Sequence, residues 1–248
     1  MRVGVIIAAA GKSTRFGAGD KLSQDLGGRP VLLRTVEAVT KRDEVTAIVV
    51  AAPPDDIENF RARFGPALGF NGAKIVEGGR TERWESIERA IRALPDDITH
   101  IAVHDGARPC ISNELLSRVF AAAEVAPAVI PGIPVRDTLK RVADEQVTAA
   151  ADDAIADLIL GDLGKSSTSG RRVLETVPRD GLCQIQTPQV FDAALLRRAY
   201  ATVDLAGTTD DASVVERLGE TVLVVEGDAR NIKITAEEDL QLVRALMR

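Results

Sequence analysis

Short apolar, β-branched segments alternate with longer segments of helical periodicity along most of this 248-residue chain. The segments predicted as strands are Val3–Ile7, Ala47–Ala51, Lys74–Val76, His100–Val103, Ala128–Ile130 and Thr221–Val225. The segments predicted as helices are Pro30–Thr40, Asp55–Phe64, Glu82–Leu94, Ser112–Glu124, Ala193–Tyr200 and Ala236–Met247. This alternation predicts an α/β domain with a mainly parallel, mixed and twisted sheet covered by helices on both faces. In such sheets ligands bind at the carboxyl ends of the strands, so the chemistry is expected directly after them.

The alternation stops between Pro134 and Cys183, where no strand–helix unit repeats. Val135–Lys140 and Val173–Val177 look like strands that pair as an antiparallel ribbon, and Asp152–Leu160 has apolar residues at helical spacing. A two-stranded ribbon is too narrow to bury its own apolar face, so it is expected to pack on a second subunit. We therefore predict one domain over 1–248, with 134–183 as a protruding β-arm. Asp152–Leu160 would cap the ribbon as one short helix, with Lys165–Gly170 remaining mobile. For residues 144–172, a disordered surface insertion is an equally good interpretation.

Charge and cysteine content exclude several classes of protein. The formal net charge of −6 argues against a general nucleic-acid binder, which needs clustered Lys and Arg. Two cysteines, Cys110 and Cys183, cannot form a disulfide framework and are expected to be reduced. The chain has no apolar stretch of membrane-spanning length and starts without a signal-peptide cleavage pattern. A cytoplasmic protein with no membrane partner is the expectation.

Small residues follow the first predicted strand and continue into two cations. The loop reads Ala8-Ala9-Ala10-Gly11-Lys12-Ser13-Thr14-Arg15, and Lys21 comes shortly after it. Small side chains let the backbone approach a ligand, and successive loop N–H groups can hold a phosphate. The spacing matches neither the P-loop nor the dinucleotide fingerprint. Phosphate binding is favoured, and a merely tight turn is the alternative.

Two further clusters follow predicted strands. Gly78-Gly79 leads into a predicted helix, on which Arg83 and Ser86 share one face and could hydrogen-bond the edge of a base. The alternative is an exposed capping turn with solvated charges. Asp105 lies at the carboxyl end of an apolar strand, where its carboxylate could bind a ribose hydroxyl or the water shell of Mg²⁺. The alternative is a structural ion pair with Arg108. His100 and His104 are interpreted as structural, because no nucleophile motif accompanies them.

The last cluster, Val225 to Thr235, leads into the final helix and brings a third cation, Lys233. Thr235 and Glu238 are predicted to form a capping box. Upstream, Thr208 to Ser213 is predicted to be a helix N-cap with acidic residues in the first turn, which is a structural role.

Together these clusters resemble the 2-C-methyl-D-erythritol 4-phosphate cytidylyltransferase family, nucleotidyltransferases of Rossmann-like fold. The resemblance runs from Val3 to about Leu240. Besides the clusters above, the matching motifs are Val135–Lys140, Gln186-Thr187-Pro188-Gln189 and Thr209–Ser213. Two departures are Leu22, where the family usually has Gln, and one extra residue between Gly79 and Arg83. A third is an arm about twenty residues longer, around Ala149–Gly170.

The resemblance implies a role for each matching residue. Arg15 and Lys21 would stabilise the transition state, and Arg179 and Lys233 would position the methylerythritol phosphate. The CTP site would be formed by Ala8, Ala9, Ala10, Gly11, Gly79, Arg83, Ser86, Asp105 and Ala107. Asp105 would also lie on the metal side, and the polyol phosphate would contact Arg108, Thr138 and Thr187. Arg179 and Thr138 would lie on the arm and reach the neighbouring subunit, which implies a homodimer.

The implied reaction transfers CMP from CTP to the polyol phosphate and releases pyrophosphate. A phosphate monoester is already nucleophilic at pH 7, so the reaction needs cations, Mg²⁺ and in-line alignment rather than a general base. Two alternatives stay open: a ribitol 5-phosphate cytidylyltransferase, and a catalytically idle nucleotide-binding regulator on the same fold.

Overall fold

A computed structural model describes residues 1–11, 16, 19–150 and 167–247 of the chain. Arg15 and the predicted helix Asp152–Leu160 lie outside the described residues. The chain divides into two compact units, one formed by residues 1–133 with 185–248 and the other by residues 134–184.

The larger unit contains most of the regular structure. Its strands are β1 (Val3–Ala8), β2 (Val45–Ala52), β3 (Ala73–Glu77), β4 (His100–Asp105), β5 (Ala128–Pro134), β9 (Gln189–Asp192) and β10 (Leu223–Glu226). Strands β6 (Leu139–Ala150) and β7 (Ser167–Val177) belong to the smaller unit, and β8 (Cys183–Ile185) lies at the unit boundary. The helices of the larger unit are α1 (Val31–Val39), α2 (Ile57–Phe70), α3 (Arg83–Ala93), α4 (Asn113–Ala123), α5 (Ala193–Thr202), α6 (Asp211–Arg217) and α7 (Glu237–Leu246).

The strands follow the order β10-β5-β9-β4-β1-β2-β3. Neighbours in this order are parallel, except that β9 lies antiparallel between β4 and β5. Val5 and Ile7 of β1 belong to a core formed with α1, α2, α4 and α7, whereas Ile6 points into a second core formed with α3, α5 and α6. A mixed, mainly parallel sheet with helices on both faces is therefore confirmed. Among the described residues, no helix is both long and apolar enough to cross a lipid bilayer.

Several elements differ from their predicted form. Helix α2 continues beyond Phe64 to Phe70 despite Pro66, because Leu68 is fully buried one turn after Phe64. Strand β9 was not predicted, since it has only four residues, and helix α6 was predicted only by its N-cap and first turn. The predicted capping box is shifted by one residue, since α7 has its N-cap at Ala236 and its N3 acid is Asp239. Asp239, not Glu238, accepts hydrogen bonds from the backbone N–H and hydroxyl of Thr235.

The smaller unit contains an antiparallel pair formed by β6 and β7. The predicted ribbon is confirmed, although β6 starts at Leu139 rather than Val135. The interpretation of residues 144–172 as disordered and of Lys165–Gly170 as mobile is wrong for Ser167–Gly170, which pair with β6. Apolar side chains on the ribbon are half exposed, among them Val147, Val173 and Leu174.

Candidate active site

A cavity of about 500 Å³ lies in the larger unit, where β1, β3 and β4 reach their carboxyl ends. Its lining contains eleven of the residues predicted from the sequence: Ala8, Ala9, Ala10, Gly11, Lys21, Gly79, Arg83, Ser86, Asp105, Ala107 and Lys233. Leu22, Arg80, Thr81 and Glu82 also line it and were not predicted as site residues. The parallel register brings Ala8 opposite Asp105, which explains why distant clusters meet at one edge of the sheet.

One wall of the cavity is the backbone that leaves β1. The N–H of Ala9 still donates to the carbonyl of Ala51 on β2, 3.0 Å away, so the start of the loop is fixed to the sheet. Lys21 begins a short 3-10 turn whose preceding residue, Asp20, accepts a hydrogen bond from the N–H of Leu22. Lys21 is thus carried into the cavity wall by an ordered turn. Arg15, its predicted companion, lies outside the described residues, so its role stays a prediction.

The opposite wall is formed by the loop between β3 and α3. The buried Ser86 accepts a hydrogen bond from the N–H of Gly79 at 2.8 Å. The carboxylate of Glu85 accepts one from the N–H of Arg80 at 2.9 Å. A Cβ atom at Gly78 would come within 2.7 Å of the Cβ of Ala10, so only glycine lets the two walls approach this closely. The extra residue before Arg83 is accommodated without displacing Arg83 or Ser86 from the cavity.

Arg83 lines the cavity with its guanidinium paired to a buried acid. Its Nη2 lies 2.7 Å from Oδ2 of Asp211, whose side chain is wholly buried. The other oxygen of Asp211 accepts a hydrogen bond from the hydroxyl of Tyr200 at 2.6 Å. Burial alone would lower the pKa of Arg83, but the carboxylates of Asp211 and Asp105 raise it above its usual value. Arg83 is therefore a permanent cation with a fixed partner behind it.

Asp105 is the acidic centre of the cavity. Its Oδ2 lies 3.0 Å from Nζ of Lys233 and 3.1 Å from Nε of Arg108. Burial alone would raise the pKa of this carboxyl, but Lys233, Arg108 and Arg83 together hold it well below its usual range. Asp105 is ionised at neutral pH, and the cluster as a whole is positive. Arg108 is mostly buried and also donates to the carbonyl of Asn231 at 2.7 Å.

The segment that carries Lys233 is held in place by hydrogen bonds to the rest of the larger unit. The N–H of Ile234 donates to the carbonyl of Ala107 at 2.9 Å, and the amide of Asn231 donates to the carbonyl of Thr187 at 2.8 Å. The Gln186 side chain bonds both the N–H and the carbonyl of Asp228. Lys233 is thus presented on a rigid loop rather than on a free end.

His104 and Thr187 support Asp105 from inside the fold. Nδ1 of His104 lies 2.9 Å from the hydroxyl oxygen of Thr187, which also accepts a hydrogen bond from the N–H of Asp105 at 3.0 Å. Nε2 of His104 lies 3.2 Å from the carbonyl of Arg108. Burial lowers the pKa of His104 to about 4. A neutral imidazole with its proton on Nε2 satisfies every bond in this chain. The structural interpretation of His104 fits this geometry, while the substrate contact predicted for Thr187 stays a prediction.

The two remaining predicted residues lie in the smaller unit. Thr138 immediately precedes β6, and Arg179 follows β7 by two residues. Because Leu139 pairs with Val177, both lie at the same end of the ribbon. A guanidinium N–H of Arg179 donates to the carbonyl of Arg136, and both Thr138 and Arg179 are exposed.

Asp211 and Tyr200 are the main residues that the sequence did not indicate. The acidic pair Asp210-Asp211 was interpreted as a helix N-cap, and Asp210 does cap α6 by accepting from the N–H of Ser213. The second acid has a different partner, which lies on α3. The sequence offered one indication that Asp211 faces inward, because the apolar residues Ala212, Val214 and Val215 follow it and are buried.

The chain matches known proteins over nearly all its length. The family model described as IspD, 2-C-methyl-D-erythritol 4-phosphate cytidylyltransferase, matches residues 3–155 and 147–248. The 2-C-methyl-D-erythritol 4-phosphate cytidylyltransferase of Frankia casuarinae is 40% identical over 248 residues, which cover 99% of this chain and 81% of that protein. The crystal structure of the enzyme of that name from Thermus thermophilus is 32% identical, with a TM-score of 0.69 over 99% of this chain and 98% of that one.

A second solved structure agrees with the first. The 4-diphosphocytidyl-2C-methyl-D-erythritol synthase of Anaerococcus prevotii is 29% identical, with a TM-score of 0.74 over 100% of this chain and 99% of that one. The family match, the sequence identity and the shared fold each cover nearly the whole chain. The chain therefore belongs to the 2-C-methyl-D-erythritol 4-phosphate cytidylyltransferase family.

Proposed function

We propose that this chain transfers CMP from CTP to 2-C-methyl-D-erythritol 4-phosphate, forming 4-diphosphocytidyl-2-C-methyl-D-erythritol and pyrophosphate. One observation carries the proposal. A single cavity joins a small-residue loop suited to phosphates, a buried serine with a paired arginine, and a carboxylate flanked by cations. Relatives that match nearly the whole chain are named for this activity.

The proposed chemistry rests on placed charge. The polyol phosphate attacks the α-phosphorus of CTP, one P–O bond forms, and the bond to the pyrophosphate leaving group breaks. Lys21, with Arg15, would stabilise the charge that builds up at phosphorus, and Lys233 would hold the attacking phosphate. Preorganised cations at a developing charge are the usual source of catalysis in such reactions.

A divalent cation, Mg²⁺ by preference, is part of the proposal. In the described part of the chain, no group of three or more His, Cys, Asp or Glu residues could hold a metal by itself. Mg²⁺ is commonly bound by one or two carboxylates together with substrate phosphates and water. Asp105 fits this pattern, because it is ionised and its two ion pairs fall on Oδ2. The bound ion would neutralise negative charge on the triphosphate.

Selection of cytosine is assigned to Arg83, Ser86 and the Gly79 backbone. Arginine only donates hydrogen bonds, so it accommodates N3 of cytosine, an acceptor, and disfavours N3–H of uracil. The 4-amino group of cytosine requires an acceptor, which the Ser86 hydroxyl or a loop carbonyl can supply. We expect CTP to be used far better than UTP, and comparable kcat/KM values for both would contradict this assignment.

We further infer a homodimer in which the ribbon carries Thr138 and Arg179 to the substrate site of a second subunit. The support is chemical and is found within the ribbon itself. It presents half-exposed Val147, Val173 and Leu174, and it ends in an exposed arginine suited to a phosphate. A cytoplasmic location and the lack of a nucleic-acid partner remain predictions from composition.

The decisive experiment is turnover of CTP with each polyol phosphate. Purified protein is incubated with CTP and either 2-C-methyl-D-erythritol 4-phosphate or ribitol 5-phosphate, with Mg²⁺ or with EDTA, and pyrophosphate is measured. We expect product with the methylerythritol phosphate in Mg²⁺ and none in EDTA. Preference for ribitol 5-phosphate would replace the substrate assignment. Binding of CTP with no turnover of either compound would favour the idle regulator.

A further inference from the structure

A buried acid lies directly behind the part of the cavity assigned to the base. Asp211 is fully buried, with Oδ2 at 2.7 Å from Nη2 of Arg83 and Oδ1 accepting a hydrogen bond from Tyr200 at 2.6 Å. Of these three residues Arg83 lines the cavity, while Asp211 and Tyr200 are absent from its described lining. The acid can therefore act on a ligand only through the arginine.

Helix capping does not account for Asp211. The cap of α6 is Asp210, whose carboxylate accepts from the N–H of Ser213 at 3.0 Å. The backbone N–H groups of Asp211 and Ala212 donate to the side-chain oxygen of Gln189, at 3.2 and 3.0 Å. With the helix start satisfied by Asp210 and Gln189, the Asp211 carboxylate is directed to another element.

Burying a carboxylate is costly unless it is paired and hydrogen-bonded. Oδ1 of Asp211 accepts a hydrogen bond from Tyr200 on α5, and Oδ2 forms an ion pair with Arg83 on α3 at 2.7 Å without meeting hydrogen-bond geometry. Burial raises the pKa of the Tyr200 hydroxyl, so it remains a donor. The ion pair keeps the Arg83 guanidinium beside Asp211.

We propose that Asp211, itself fixed by Tyr200, is a positioning residue that orients Arg83 for the nucleotide base. This inference rests on the proposed function, because it takes the ligand of Arg83 to be CTP. An arginine that is ordered only on binding loses much rotamer freedom at that moment. An arginine already held by Asp211 avoids that loss, so the pair should act on CTP affinity and little on the chemical step.

The test compares Asp211→Asn, Tyr200→Phe and Arg83→Gln with the double variants Asp211→Asn/Arg83→Gln and Tyr200→Phe/Arg83→Gln. Asp210→Asn is the matched control, since it changes the same charge one residue earlier at a side chain that does not contact Arg83. For each protein, the Kd of CTP is measured by calorimetry without the polyol phosphate. The kcat, the KM for CTP and the Tm are measured alongside.

Asp211→Asn should weaken CTP binding on the order of tenfold or more, with kcat changed by less than about threefold. Tyr200→Phe should weaken CTP binding by a smaller factor, and Asp210→Asn should bind CTP like the wild type. In the Arg83→Gln background neither substitution should weaken CTP binding further, because the residue through which they act is gone. If Asp211→Asn does not fold, Tyr200→Phe in the wild type and in Arg83→Gln makes the same comparison.

Two results would overturn the inference. One is a CTP affinity unchanged in Asp211→Asn and Tyr200→Phe, with only the Tm lowered, which would make the pair purely structural. The other is a further loss of CTP affinity when Asp211→Asn or Tyr200→Phe is added to Arg83→Gln. Such a loss would mean that Asp211 acts on CTP by a route that does not involve Arg83. Failure of the wild type to bind CTP at all would count against the proposed function instead.

Discussion

Single residues set the charge that a nucleotide meets in this cavity. Asp105 is one carboxylate facing Lys233 and Arg108, both within 3.1 Å of the same oxygen. An incoming phosphate therefore competes with Asp105 for Lys233, and the excess of positive charge favours the phosphate. The same carboxylate offsets the repulsion between these cations until a ligand arrives.

Lys21 provides the first prediction at this scale. Lys21→Ala should lower kcat by about 10²-fold or more while changing the Kd of CTP much less, because the lost cation is assigned to the transition state. Steady-state kinetics and CTP calorimetry measure the two effects separately. Lys74→Ala, on the exposed side of β3, is the control. A near-normal kcat in Lys21→Ala would show that this role is wrong, and Arg15→Ala tests its companion in the same way.

His104 provides a prediction on pH. Its pKa is about 4 in the fold and about 6.5 in an unfolded chain, so the unfolded state binds the proton first as pH falls. The neutral, buried His104 therefore does not reduce the free energy of unfolding above about pH 6.5, and it reduces that free energy progressively as the pH falls from 6.5 toward 4. Asp105 acts in the same direction only at lower pH, because its pKa is already depressed.

From His104 alone, the free energy of unfolding should fall by about 2 kcal/mol between pH 7 and pH 5. Urea denaturation at both pH values measures this loss. In His104→Gln the titrating group is gone and the loss should shrink by that amount. His100→Gln, which replaces the only other histidine, is the control. An equal pH dependence in wild type and His104→Gln would contradict the assignment.

At the scale of elements, the site depends on how closely two loops approach each other. The loop after β1 and the loop after β3 meet at Gly78, where a Cβ would lie 2.7 Å from Ala10, 2.8 Å from the carbonyl oxygen of Ala52 and 2.9 Å from the Ser86 hydroxyl. Two of these neighbours are backbone or backbone-fixed atoms that cannot move aside cheaply. The distance between the two walls of the cavity is therefore set by the missing side chain.

Gly78→Ala should separate these walls. We expect a loss of about 1–3 kcal/mol in the free energy of unfolding and a higher KM for CTP, since overpacking displaces the residues around it. Gly65→Ala is the matched control, because a Cβ there meets nothing within 4 Å and lies inside α2. That control should be neutral or stabilising by up to about 1 kcal/mol. Equal effects of the two substitutions would show that the contact at Gly78 is not limiting.

The elements that could be predicted from the sequence are those that are long or have a clear hydrophobic periodicity. Strand β1 is a continuous run of small and apolar residues, β4 contains the apolar run Ile101–Val103, and α1, α3 and α4 have clear helical spacing, so these elements were found to within about two residues. Strand β9 was missed because Gln189 and Asp192 leave only two apolar residues between them. The cavity lining was indicated by motifs after strands, whereas the Arg83–Asp211 pair joins two helices that are far apart in the sequence and has no local pattern.

At the scale of the whole molecule, the proposed site residues are divided between two compact units. Lys21, Arg83, Asp105 and Lys233 belong to the larger unit, and Thr138 and Arg179 belong to the smaller unit that contains the ribbon. If the proposed dimer exchanges ribbons, each site takes residues from both chains. Substitutions in the two units can then complement each other.

Mixing subunits provides the prediction at this scale. Arg179→Ala and Lys21→Ala should each be nearly inactive as homodimers. In a heterodimer with shared sites, one site carries both lesions and the other carries neither, so activity should return after subunit exchange. Two different affinity tags allow the heterodimer to be isolated before assay. No recovery in a verified heterodimer would mean that each site is built within one chain.

The segments that line the cavity are synthesised at different times, because they are far apart in the sequence. The phosphate loop, the base loop and Asp105 are present once about the first hundred residues have left the ribosome, but Lys233 comes from a segment held by Ala107, Thr187 and Gln186. A nascent chain that has already formed β1 to β4 still lacks the cation assigned to the substrate phosphate. The cavity lining is therefore complete only after residues 228–235 have docked onto the rest of the larger unit.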